Sequence, residues 1–301
     1  MDSRFRGNDE IMARKPIRRV VVLSDLHVGS TVGLWPGAHR VEGGGEYTAN
    51  VYQQWLMECW GEMLAEVRAM RPKPTVVVNG DAIQGVNYRD GQLITNKIDV
   101  QVRAAYALLE PLRKLAREFY MVRGTEWHEG KSAEHVEMLA QSLTAKIDPS
   151  SGQNTWWEIY LGLPSLAEMG GGEGDGEQEH KPVIHFAHHV GVSSVPWYEA
   201  TVPLRDTLLL LAELARFYGD RAPDVRMVVR SHRHRFIYVL APPDIHVAVT
   251  PAWQLKTAFA HKKASSMVPE IGYFVVEWDG RDLLVKPRIF QLPDQHVEVV
   301  G

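Results

Sequence analysis

Five short stretches of this chain hold acids and imidazoles at spacings that suit metal ions. Asp25-Leu26-His27 follows the apolar run VVVLS. In extended chain, residues two apart point to the same side, so this carboxylate and this imidazole can reach one ion. Gly80-Asp81 follows TVVVN, and an acid just past a buried strand can reach into the crevice where open sheets bind ligands. The third stretch runs from Arg123 to Gly130 after EFYMV and offers Thr125, Glu126 and His128. In the fourth, IHFAHHVG, His188 and His189 follow a strand that also carries His185. The fifth, Arg230-Ser231-His232-Arg233-His234-Arg235, repeats the two-residue spacing. Each alone has a bland explanation: a capping Asp beside a surface His, a turn-forming Gly-Asp, a loop with an incidental His, a basic turn. Five in succession, each ending an apolar strand and each offering oxygen or imidazole ligands, do not.

The elements that must position these residues are legible in the apolar pattern. Strands are predicted at 18–24, 75–79, 118–122, 155–163 and 182–187, then at 225–230, 235–241, 245–249, 271–278 and 283–290, with turns at Pro242-Pro243 and Asp279-Gly280. Helices are predicted where apolar residues recur at three and four. Over 50–70 the face is Val51, Trp55, Cys59, Met63, Val67 and Met70, ended by Pro72 and Pro74; over 97–117 it is Ile98, Val102, Ala105, Leu109, Leu112 and Ala116. Further helices are expected at 132–147 and 203–218. Strands alternating with helices, then consecutive strands, predict a mixed sheet packed on a second sheet with helices outside.

Composition sets the frame. The chain has 301 residues, 45% hydrophobic and 23% charged, with a net charge of -4, the profile of a globular protein with a real core. A protein built to grip nucleic acid usually carries a basic excess. The single cysteine, Cys59, allows no internal disulfide and suits the cytoplasm. No stretch approaches the ~18–20 apolar residues of a membrane span. Residues 1–16 read as a disordered tail, with Met1 or Met12 as the start, and 17–301 as one domain. Residues 168–181, acidic and glycine-rich, read as a mobile loop. Trp35, Trp197 and Trp253 read as satellite core rather than stacking platforms, and Trp55 and Trp60 as packing. Lys256, Lys262 and Lys263 read as a solvated basic face.

The type and order of the five stretches resemble the calcineurin-like metallophosphoesterase superfamily, whose pattern runs D-x-H, G-D, G-N-H-[DE], a lone His, then G-H-x-H. The resemblance spans residues 18–235. It implies a four-layer α/β/β/α sandwich of two mixed sheets flanked by helices. It also implies two divalent transition-metal ions, of Mn, Fe, Zn or Co. Asp25, His27 and His234 would hold the first ion, Asp81 would bridge, and His188 and His232 would bind the second, with His189 the alternative to His188. Ser231 stands where the family has Gly. The third motif departs most: G-N-H becomes G-T-E-W-H, so the family's Asn is replaced by Thr125 or by Glu126, the better ligand chemically. His128 would be the catalytic acid. The implied activity is phosphomonoester or phosphodiester hydrolysis by a hydroxide shared between the two metals. The substrate is a phosphoester, with nucleotides and nucleic acid among the candidates. A nuclease is the first alternative and a non-catalytic interaction module the second.

Overall fold

The apolar runs form strands in the computed structural model, which describes residues 17–86, 91–169, 181–191, 198–263 and 266–293. The chain opens with β1 (Arg18–Leu23), a short hairpin of β2 (Ala38–Arg40) and β3 (Glu46–Thr48), α1 (Val51–Ala69) and β4 (Thr75–Asn79). Next come α2 (Ile98–Leu115), β5 (Glu118–Val122), α3 (Glu126–Glu129), α4 (Glu134–Ser142), β6 (Thr155–Trp156) and β7 (Ile159–Gly162). Then follow α5 (Leu166–Met169), β8 (Pro182–Phe186), α6 (Thr201–Tyr218), β9 (Asp224–Arg230), β10 (Ile237–Ala241) and β11 (Ile245–Val249). Last are α7 (Ala258–Lys263), β12 (Ile271–Trp278) and β13 (Leu283–Phe290).

Two mixed sheets pack face to face. One has the order β13-β12-β1-β4-β5-β6, the other β10-β11-β9-β8-β7. In the first, β1, β4, β5 and β6 run parallel, and β12 and β13 are antiparallel additions. In the second, β8, β9 and β11 are parallel, with antiparallel β7 and β10 at the edges.

Alternation along each strand explains the layering. Val20, Val22, Val77 and Val122 point at the second sheet and meet Ile184, Phe186, Met227 and Val229. Their neighbours Val21, Leu23, Val76, Val78 and Met121 point outward into the layer of α1, α2 and α4. On the far side, Val225, Val228 and Val247 pack with Leu214 of α6. Strands buried on both faces read as continuous apolar runs, and each buried Val contributes about 1.5–3 kcal/mol. The product is the α/β/β/α sandwich. Helix α1 starts on a capping box: Asn50 Oδ1 accepts from the backbone of Tyr52 and Gln53, and Gln53 Oε1 accepts from Asn50 N.

Several local expectations need correction. The strand expected at 155–163 is two strands in different sheets, β6 and β7, because Trp157 and Glu158 carry the chain from one layer to the other. The helix expected at 132–147 is confined to Glu134–Ser142, with left-handed Ala133 before it and left-handed Thr144 after it. On α1, Val51 is exposed, and Leu56 and Trp60 belong to the buried face. The β2–β3 hairpin has no apolar run and was not anticipated. Of the segment 168–181, Lys181 pairs with Glu168 at 2.5 Å, and 170–180 lie outside the described residues, as do the tail 1–16 and Trp197. No helix among the described residues is long and apolar enough to cross a membrane.

Candidate metal centre

The five stretches meet where the C-terminal ends of β1, β4 and β5 face those of β8 and β9. Backbone bonds fix them there. Asp25 N donates to Gly80 O at 3.0 Å, His27 N to Asp81 O at 3.1 Å, and Ser231 N to His188 O at 2.9 Å. Between the sheets, Asn79 Nδ2 donates to Ala187 O at 3.0 Å and to Ser231 Oγ at 2.7 Å. Ser231 also accepts from Thr250 Oγ1 at 2.8 Å, so its hydroxyl ties the strand ends together.

The backbone here is strained. Eight non-glycine residues among those described have positive φ, and five of them are Asp25, His27, Asp81, His232 and His234. Left-handed backbone at L-residues costs about 1–3 kcal/mol each and persists where surrounding structure over-determines it, chiefly at functional sites. Two glycines permit the close approach. A Cβ at Gly80 would lie 2.3 Å from His188 Nδ1, and one at Gly124 would lie 2.2 Å from Asp81 Oδ1.

The side chains converge in three groups, each with ligand atoms mutually within 4.8 Å: Asp25, His27 and His234; His27, Asp81 and His128; and Asp81, His188 and His232. His234 Nε2 lies 3.3 Å from Asp25 Oδ1, and His188 Nε2 lies 3.1 Å from Asp81 Oδ2. His27 Nε2 and His234 Nε2 face one another at 3.3 Å. Asp25 Oδ1 and His188 Nε2 are buried with no well-aligned hydrogen bond, their nearest polar neighbours being other members of the cluster. Such atoms are costly unless something satisfies them, and a cation would. Backbone carbonyls fix two of the rings. His188 Nδ1 lies 2.6 Å from Asn79 O and His128 Nδ1 lies 2.6 Å from Gln84 O. Each therefore donates from Nδ1 and leaves Nε2 for the cluster, which for His188 is the usual support for a ligating imidazole.

Charge in the cluster is set by burial and proximity. Burial pushes Asp25 up, but His234, His27 and His188 outweigh it and hold the carboxyl well below its usual range. Asp81 is likewise lowered against its burial, chiefly by His188 and His128. Burial, then His128, brings His27 down to about 4, and burial, then His188, lowers His232. Burial also opposes charge on His188, yet Asp81 and Asp25 lift it to about 10. Ionised carboxylates beside basic imidazoles are a donor set suited to Mn, Fe, Zn or Co, so the residues fit the implied ions.

The alternatives left open by the sequence differ in burial and in contacts. His188 is buried, whereas His189 is exposed on the wall of an adjoining cavity. Thr125 donates its N–H to Asp81 Oδ1 at 2.7 Å and its hydroxyl to the same oxygen at 3.1 Å, so it orients that carboxylate. Glu126 is exposed, and none of the three converging groups includes it; the expectation that it joins the cluster is not met, because α3 turns its side chain outward. The carboxyl on the inner side of that turn is Glu129, which the sequence reasoning missed. It accepts from Gly124 N and from Ala82 N at 3.4 Å. Burial, then repulsion from Asp81, raises it to about 8. A helix-like E-W-H-E gives no local sign of which Glu turns inward. His185 lies apart from the cluster, between Glu158 and Arg230. Trp35 and Trp253 are fully buried, as expected of core.

No family model and no curated relative matches the sequence. The fold is similar to those of solved structures. One is a dimetal phosphatase from Danio rerio, 10% identical, TM-score 0.45, with 91% of this chain and 96% of that one covered. Another is Vps29 from Entamoeba histolytica complexed with zinc, 13% identical, TM-score 0.41, covering 90% and 98%. A third is a metallophosphoesterase from Sphaerobacter thermophilus, 12% identical, TM-score 0.37, covering 91% and 89%. At this identity the likeness concerns the fold, and the site stands on its own side chains.

Proposed function

We propose that this chain is a metal-dependent phosphoesterase of the calcineurin-like kind, one domain over 17–301, placed in the cytoplasm. The observation that carries the reading is the convergence of ligand atoms in overlapping groups that share Asp81 and His27. Asp25, His27 and His234 would hold one ion, His188 and His232 the other, with Asp81 between them. Divalent cations held there supply Lewis acidity toward a phosphoryl group and toward the attacking water.

The chain's own residues do the rest. Asp81 is ionised and locked by two donors from Thr125, so its free lone pairs face the cluster. His128 keeps its Nδ1–H on Gln84 O. The remaining nitrogen, Nε2, lies on the side of His27 and Asp81, where a proton can pass to the leaving oxygen of the ester as general acid. His128 is half-buried, so substrate can reach it from solvent.

The test is hydrolysis of aryl phosphate, bis-aryl phosphate, cyclic nucleotide and DNA substrates with Mn²⁺, before and after chelation. Chelator-sensitive activity on at least one ester is expected. A protein that binds its metals fully and cleaves none of these esters would refute the catalytic reading in favour of an interaction module.

A further inference from the structure

Beside the cluster lies a cavity of about 450 Å³ whose lining includes Arg123, Trp127, Lys131, Trp157, His189 and His232. His232 is a proposed ligand, so the cavity opens from the metal centre itself. Its two tryptophans are among the most exposed large side chains described, Trp127 at 67% and Trp157 at 63%. An indole normally buries 150–250 Å² of its surface, approximately, so two left open on one cavity call for an explanation.

Trp157 is held rather than loose. The Arg123 guanidinium sits 4.6 Å from its ring centroid. Arg123 is itself only 7% exposed, donating Nε to Thr155 Oγ1 at 3.1 Å and Nη2 to Gln153 Oε1. One indole face is therefore covered by a fixed cation, and the other is left to solvent. Trp127 stands on α3, and no ring among those described stacks on it or bridges it to Trp157. Both indoles line the same cavity.

Resting on the phosphoesterase reading, we infer that this cavity is a nucleobase subsite: the substrate is a nucleoside phosphoester whose base lies against Trp157 and Trp127 while its phosphate reaches the metals past His232. The volume falls in the range of sites for small ligands, roughly 300–1,000 Å³, larger than one phenyl ring needs. Every base has a π-face, so indole platforms accept bases broadly. Charge argues against a long strand. Among the described residues Lys131 is the one exposed Lys or Arg on the cavity wall, and the acidic Glu126 lines the same cavity, whereas a groove that tracks a backbone needs a row of cations.

The experiment compares adenosine 5′-monophosphate with ribose 5-phosphate on the Zn²⁺-loaded protein, by calorimetry and by the indole N–H signals of Trp127 and Trp157. The base should tighten binding roughly 5- to 150-fold, the range of one stacked base. That ratio should fall to about one in Trp157→Ala and recover largely in Trp157→Phe, and both indole signals should shift with adenosine 5′-monophosphate and not with ribose 5-phosphate. Adenosine without phosphate serves as the control on the underlying reading, since its shifts at the two indoles need neither metals nor hydrolysis. Shifts from adenosine in a protein that cleaves no ester would keep the base subsite and sink the phosphoesterase. Equal binding of the two phosphates, or indole signals unmoved by adenosine, would overturn the subsite and leave the phosphoesterase standing. An oligothymidylate that binds far more tightly than thymidine monophosphate would overturn the assignment to a single nucleoside ester.

Discussion

Replacing Asp81 by Asn tests the centre with little disturbance of the fold. The Asn carbonyl oxygen can occupy the Oδ1 position and keep both donors, Thr125 N at 2.7 Å and Thr125 Oγ1 at 3.1 Å. The amide must then take the Oδ2 position, 3.1 Å from His188 Nε2. A full negative charge and its lone pairs are thus exchanged for a neutral donor at the point where two ligand groups overlap. Two unit charges about 4 Å apart interact by ~4 kcal/mol at an effective dielectric near 20, and a divalent ion doubles that. The loss is therefore at least roughly 10³-fold in affinity for each ion. Metal content after gel filtration, with calorimetric Mn²⁺ titration, should show both ions lost at micromolar metal. Asp25→Asn, whose residue lies in one group only, should cost one ion. Circular dichroism melting in excess chelator checks that each variant still folds. An Asp81→Asn protein with its metal and activity intact would refute the assignment of Asp81 as the shared ligand.

Three further outcomes follow from the same geometry. His188→Ala should abolish activity while His189→Ala, an exposed position, costs less than about tenfold; steady-state kinetics with metal analysis would show a reversed order if His189 were the ligand. His128→Ala should keep both metals and slow esters with poor leaving groups by roughly 10²–10⁴-fold, with aryl esters much less affected; loss of metal would instead make His128 a ligand. Glu129 titrates from an ordinary 4.5 up to about 8 in the folded, metal-free protein. Its contribution to stability is therefore complete below pH 4.5 and is lost as pH rises through about 8. Melting temperatures of the chelated protein should fall across that window, and Glu129→Gln should remove part of the fall. His188, raised from 6.5 to about 10, supplies a separate loss above 6.5, so the difference between the two proteins isolates Glu129, and parallel curves would contradict the assignment.

The strands that carry the proposed ligands were legible because they are buried on both faces. VVVL in β1 and VVV in β4 have no polar alternation to misplace, and polar residues at their ends stand out. What sequence could not supply was a choice between neighbours. His188 and His189, or Glu126 and Glu129, differ only in which way a turn points them, and the packing of α3 against the β4–β5 loops decides that. The change of sheet at Trp157-Glu158 was invisible for a related reason. Both halves of 155–163 have strand-like composition, and local pattern says nothing about which sheet takes them. Trp127 and Trp157 went unremarked because composition favours core for any tryptophan, and only the cavity shows otherwise.

The strained backbone gives the centre a logic beyond the ligand count. Asp25 and His27 are two apart, as are His232 and His234, and in a regular strand end each pair would point to one side with extended φ. Here all four are left-handed, and the two tripeptides end differently: Asp25 and His27 close on one group, whereas His232 and His234 divide between two groups. Five such residues cost about 5–15 kcal/mol together, comparable to the whole net stability of a domain. The double-sided burial of β1, β4, β8 and β9 and the Asn79–Ser231–Thr250 bonds hold that conformation in place. On this account the cluster is preorganised by the sheets, and ligand truncation should weaken metal binding while leaving the two-sheet core folded.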